Sequence, residues 1–131
     1  MIEKILPSPS PISQPYFDGC KNGQLLLQHC LSCDRSQFYP RVVCSHCGAA
    51  SLTWRQAAGE GVVASFTVVR RPVSMAYEAP YAIALIDLPE GVRMMAQLGG
   101  IDVSKVSVGL RVVAHFDAWS DAISLPIFHP I

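Results

Sequence analysis

Four of the five cysteines in this 131-residue chain are spaced to hold a metal ion. Cys30 pairs with Cys33 and Cys44 with Cys47, each as C-x2-C, with ten residues between the pairs. A C-x2-C turn aims two thiolates to one side, and two such knuckles facing each other build a tetrahedron of sulfur. Four soft thiolates in a closed site suit Zn²⁺ held for structure, one ion per chain, with no position left for water or substrate. Disulfides do not account for two matched pairs so close together, because C-x2-C disulfides mark redox enzymes beside a βαβ pattern that is absent here. Iron in a rubredoxin-like site is the rival metal. Rubredoxin knuckles carry Gly after each second Cys, whereas here Gly48 follows Cys47 but Asp34 follows Cys33; zinc is the expectation. His46, inside the second knuckle, reads as solvent-facing, since a ligand role would orphan a thiol. Cys20 reads as a small buried hydrophobe on a helix.

Other chemistry is sparse. No G-x-S-x-G elbow, H-E-x-x-H or P-loop is present. Gly59-Glu60-Gly61 lacks the third glycine of a dinucleotide fingerprint and precedes a strand, so it reads as a barrel-corner turn. His29, His46, His115 and His129 are scattered, and the carboxylates show no spacing that suggests acid–base work. Asp87 and Glu90 read as solvated. The residues describe a binding module rather than a catalyst.

The composition points the same way. Half of the residues are hydrophobic and 15% charged, against about 25% charged in an average soluble domain. A body this small buries a modest fraction of its chain, so the surplus apolar surface calls for a partner protein. Ten basic residues balance ten acidic ones, and only Arg70 and Arg71 stand together. That disfavours nucleic acid, which is held by clustered Lys and Arg; a single-strand-binding barrel is the alternative reading this weighs against. No apolar run is long enough to span a bilayer, and MIEKILPSPSP lacks the apolar core of a signal peptide. With reduced, metal-type cysteines, the expected compartment is the cytoplasm, with no membrane role.

These features need a scaffold. Residues 1–11, with their Ser-Pro repeats, read as a flexible arm. Ile12, Tyr16, Phe17 and Cys20 recur at helical spacing, giving an N-terminal helix within 12–24, with Ser13 placed to cap it and Gly23 just past its end. Residues 25–56 form the zinc ribbon: a strand from Leu25 to Gln28, a short hairpin Gln37–Val43 with Pro40 near its bend, and a strand Leu52–Gln56. Residues 57–131 carry five strand signatures, Val62–Arg70, Tyr81–Leu88, Val92–Leu98, Gly109–Phe116 and Ser124–Phe128, with one helical turn near Asp102–Val106. The fold expected is mainly β: one helix, a four-cysteine rubredoxin-like zinc ribbon and a five-stranded OB-fold barrel.

The order of these residues resembles a known family. Y-F-D-G-x3-G-x-L (Tyr16 to Leu25) leads into C-x2-C, then Phe38-Tyr39-Pro40-Arg41 and C-x2-C-G. Trp54, Gly59 and Gly61, Ala79-Pro80-Tyr81, L-x-x-G-V-R, V-G-L-R-V and a closing L-P-I-F-x-P follow. This resembles the OB-fold, acyl-CoA-associated zinc-ribbon family over nearly the whole chain, from about Ile12 to Pro130. It departs at Tyr16, where the family often has Phe, and at Phe17, where it often has Trp. The resemblance implies a non-catalytic scaffold subunit. Its partner would be a thiolase-fold enzyme, with or without a hot-dog-fold enoyl-CoA hydratase, in acetoacetyl-CoA, phloroglucinol acetyltransferase or steroid side-chain aldolase systems. Acyl-CoA would be bound only in the complex. On that reading the candidate contacts to partner or acyl-CoA are Tyr16, Phe17, Arg70, Arg71 and Arg93, together with Ile5 to Ile12 and Leu125 to Ile131.

Overall fold

A computed structural model of the protein describes residues 4–131. The first helix, α1, spans Gln14–Lys21, with Pro15 in its first turn, where a missing N–H costs nothing. Ser13 precedes it, but its side chain makes no cap; the hydroxyl turns back to Ser10, whose backbone N–H it accepts at 2.9 Å. The helix ends where Gly23 takes φ 73°, the left-handed conformation glycine adopts without steric cost. The apolar stripe read from the sequence is the buried face: Tyr16, Phe17 and Cys20 all enter the core.

The ribbon is a three-stranded antiparallel sheet in the order β2–β1–β3, with β1 at Leu26–Cys30, β2 at Ser36–Gln37 and β3 at Leu52–Gln56. The long pairing is between β1 and β3, from Leu26 opposite Gln56 to Cys30 opposite Leu52. The Gln37–Val43 hairpin does not form. Only Ser36 and Gln37 pair with β1, and 38–43 runs without strand pairing. Pro40 has no N–H to offer a ladder, and the backbone of this loop is held by side chains instead, as described below.

Five further strands close into a barrel in the order β4–β5–β6–β8–β7: β4 Glu60–Val69, β5 Tyr81–Asp87, β6 Arg93–Leu98, β7 Arg111–Ala118 and β8 Ser124–Pro130. Closure leaves no free edge along the barrel seam. The seam is the parallel pairing of β6 with β8, where Gln97 and Leu98 lie opposite Ile127 and Phe128. Leu125 to Ile131 is therefore largely a barrel strand, not a free tail. A register shift between Val63 and Ser65 bends β4. Gly61 is required by proximity: a Cβ there would stand 2.5 Å from the Ile86 methyl and 2.9 Å from the Asp87 carbonyl. The expected helical turn appears as a 3-10 turn, Val103–Lys105, with Asp102 accepting the Ser104 N–H.

The core runs continuously from the ribbon into the barrel, joining Leu25 and Leu27 to Val63, Ile86, Val112 and Phe128. Of the N-terminal arm, residues 1–3 lie outside the described residues. Residues 4–10 take no regular structure, and the Lys4 ammonium lies 4.6 Å from the centre of the Trp119 ring. Among the described residues no helix is long and apolar enough to cross a membrane.

Candidate metal centre and apolar groove

The two knuckles converge. The Sγ atoms of Cys30, Cys33, Cys44 and Cys47 all lie within 4.8 Å of one another, with Cys30 to Cys47 and Cys33 to Cys44 each at 3.6 Å. A tetrahedron with metal–sulfur bonds of about 2.3 Å has sulfur–sulfur edges of about 3.8 Å. The cluster thus already has the dimensions of a four-thiolate metal site, and the donors fit. The knuckle turns supply N–H groups to the sulfurs, including His46 N–H to Cys44 at 3.3 Å. N–H groups of Cys33 and Ser32 outweigh burial at Cys30 and pull its thiol down to about 6. Burial pushes Cys33 up to about 12. A metal ion would have to displace the proton from that second sulfur.

Two glutamines hold the knuckles in place, and neither was singled out from the sequence. Gln28 is buried on β1, and its carboxamide oxygen accepts the Arg41 N–H at 2.8 Å while its NH₂ donates to the Arg41 carbonyl at 3.0 Å. A side chain thus performs the two-bond pairing that a neighbouring strand would have supplied. Gln37, also buried, donates to Gln28 at 2.7 Å and accepts the Ser45 N–H at 2.7 Å, reaching the second knuckle. The signal was present: one polar residue ends the apolar run Leu25-Leu26-Leu27-Gln28 on a buried strand. His29 is buried beside it, with Nε2 2.7 Å from Asp34 and Nδ1 3.0 Å from Ser36. His46 is exposed, as expected of a knuckle residue, and lies 3.2 Å from the Ser36 carbonyl.

Cys20 is buried, and that burial pushes its thiol up to about 11, the state of an inert core residue. Asp87 and Glu90 are not merely solvated. Asp87 takes two bonds from Arg93, at 2.7 and 3.0 Å, across the β5–β6 hairpin, and this holds its carboxyl below the usual range. Glu90 accepts the Ala58 N–H at 2.9 Å, clasping the ribbon-to-barrel junction, and its other carboxylate oxygen is buried.

The candidate contact residues do not form one site. Arg93 is engaged with Asp87. Arg70 and Arg71 are exposed on the segment between β4 and β5, with no ion pair among the described residues. Tyr16 and Phe17 are core residues, and their outer edges line a groove of about 460 Å³. The floor of that groove is the outward face of β5, β6 and β8, with Ile83, Met95, Gln97 and Ile127; the β4–β5 segment supplies Val73 and Tyr77 as a wall. Tyr77 stacks on Tyr81 at 5.5 Å and meets Trp119 at 5.9 Å. Sequence reading missed Tyr77, Tyr81, Met95 and Trp119, because four separate segments bring them together.

Two family models cover most of the chain. The rubredoxin-like zinc ribbon domain of ChsH2 matches residues 17–53, and the C-terminal OB-fold domain of ChsH2 matches residues 54–117. A solved structure of the Ltp2-ChsH2(DUF35) aldolase superposes with a TM-score of 0.87 at 33% identity, over 95% of this chain and 98% of that one. The chain belongs to the ChsH2 (DUF35) family. A DUF35 protein of unknown function from Sulfolobus solfataricus, 21% identical with a TM-score of 0.65 over 93% of this chain and 87% of that one, shares the fold. Among curated relatives of this ChsH2-type chain, a probable enoyl-CoA hydratase alpha subunit from Thermomonospora curvata is 35% identical over 88% of the chain. A DUF35 domain-containing scaffold protein from Pyrococcus furiosus is 34% identical over 71% of it. The 3-oxo-4,17-pregnadiene-20-carboxyl-CoA hydratase alpha subunit of Mycobacterium tuberculosis is 33% identical over 87%. The chain spans 36%, 61% and 37% of the lengths of these three relatives, respectively.

Proposed function

We propose that this ChsH2-type chain is a non-catalytic accessory subunit that docks on a thiolase-like acyl-CoA enzyme and helps shape the channel receiving the acyl-CoA. The observation that carries the reading is the near-complete likeness to the Ltp2-ChsH2(DUF35) aldolase structure, in which a chain of this fold accompanies an aldolase. The relatives support it, being named as scaffold proteins or as alpha subunits of acyl-CoA hydratases. The surface supports it too: outside the groove, Leu31, Val42, Met75 and Val108 are large apolar side chains exposed to water, available for a partner to cover. We assign the four-thiolate site to structural zinc, whose closed tetrahedral preference matches the sulfur spacing, and the compartment to the cytoplasm, where such thiols stay reduced.

Affinity purification of the chain from its native host tests the reading. A thiolase-type enzyme should co-purify at a fixed stoichiometry, with one zinc per chain by elemental analysis, and acyl-CoA turnover should require that enzyme. A solitary monomer, or turnover by the purified chain alone, would overturn it.

A further inference from the structure

We propose that the apolar groove on this chain receives the acyl body of the thioester and leaves the nucleotide of CoA to other surfaces. The inference rests on the accessory-subunit reading and adds which part of the ligand this chain holds. The groove of about 460 Å³ contains no charged side chain in its lining. Its volume lies in the range of sites that take small apolar ligands. A second hollow of about 420 Å³ continues from it, sharing Tyr77, Tyr81, Gln97, Trp119 and Ile127.

Charge decides what each compartment accepts. The second hollow carries Glu78 and Asp117 against the single ammonium of Lys4, which already lies over Trp119. Two carboxylates against one cation repel a polyanionic nucleotide. At the seam, Gln97 presents a carboxamide that forms no hydrogen bond among the described residues, on a β6 face it shares with Met95 and, farther along, with Arg93, which is paired to Asp87. An amide donor between an apolar trough and a polar hollow matches a neutral carbonyl linker, with hydrocarbon on one side and amides on the other. The acyl body therefore lies against Phe17, Ile83 and Met95, and Gln97 donates to a carbonyl of the thioester–pantetheine linker.

The chain carries its own control for the test. Met95 lines the groove, whereas Met75, 86% exposed, stands outside it. Methionine-methyl NMR of the full chain, alone and in the presence of the enzyme that co-purifies with it, is titrated with decanoyl-pantetheine, pantetheine and CoA. Decanoyl-pantetheine should shift the Met95 methyl saturably and leave Met75 unmoved, while pantetheine and CoA move neither. Met95→Lys should weaken binding by at least about tenfold, because it places a charge in an apolar trough; Val108→Lys, on an exposed position outside the groove, should not change it. A Met95 signal indifferent to decanoyl-pantetheine up to its solubility limit, or moved equally by CoA, overturns the proposal. So does a Met95→Lys variant that loses the partner enzyme while decanoyl-pantetheine still binds, since the groove would then be a protein-docking face. A chain that recruits a thiolase-type enzyme but shows a silent Met95 refutes the groove alone. One that binds decanoyl-pantetheine without recruiting an enzyme refutes the accessory-subunit reading instead.

Discussion

Gln28 does the most work per atom outside the metal ligands. Its carboxamide satisfies both backbone groups of Arg41 and receives Gln37, which in turn holds Ser45 beside Cys44. Replacing Gln28 by Ala removes two part-buried backbone bonds and a partner of buried Gln37, a loss of about 1–3 kcal/mol. The expected result is a lower denaturation midpoint and faster metal release to a chelator, with the barrel strands unaffected in near-native conditions. Cys20 makes a different prediction. Burial lifts its thiol from 9.0 to about 11, so the folded chain keeps the proton that the unfolded chain loses above pH 9. The stabilisation is whole below pH 9 and declines as pH rises towards 11. Replacing Cys20 by Ala should flatten that part of the stability profile, and alkylation of native protein at neutral pH should spare Cys20 until the chain unfolds.

At the level of elements, the ribbon depends on its ion and the barrel on its closure. Strand β2 is two residues long, and the loop after it is tied by side chains, so apart from the tight turns inside each knuckle and Phe38 packed on the core, the glutamines and the sulfurs do most to order 30–50. Removing the metal with a chelator should therefore release amide protection across the knuckles first, while β4 to β8 keep theirs, as hydrogen exchange would report. Simultaneous loss of protection in ribbon and barrel would show instead that the shared core couples them fully. The junction is where coupling enters: Leu25 and Leu27 pack into the barrel core, and Glu90 reaches across to Ala58.

For the whole molecule the critical residue is Phe128. It is fully buried on β8, opposite Leu98 of β6 and Ala114 of β7, at the seam that closes the barrel. Phe128→Ala should cost about 3–5 kcal/mol in urea denaturation and also distort the groove, whose floor is the other face of the same strand. Val108→Ala, at an exposed position, should cost little by comparison. A groove formed on the back of a strand that closes the barrel ties its own shape to the stability of that seam.

The metal knuckles, the helix stripe and the strand boundaries could be read from the chain because each depends on near neighbours: two thiolates in one turn, apolar residues one helical turn apart, alternation along a strand. Even the expected family follows from such local patterns laid in order. The glutamine pairing and the aromatic groove were decided only when separated segments met. A side chain's partner across a sheet depends on the register of the two strands, which no single strand's sequence displays. Tyr16, Tyr77, Met95 and Trp119 share no local signal; only the folded chain puts them around one apolar space.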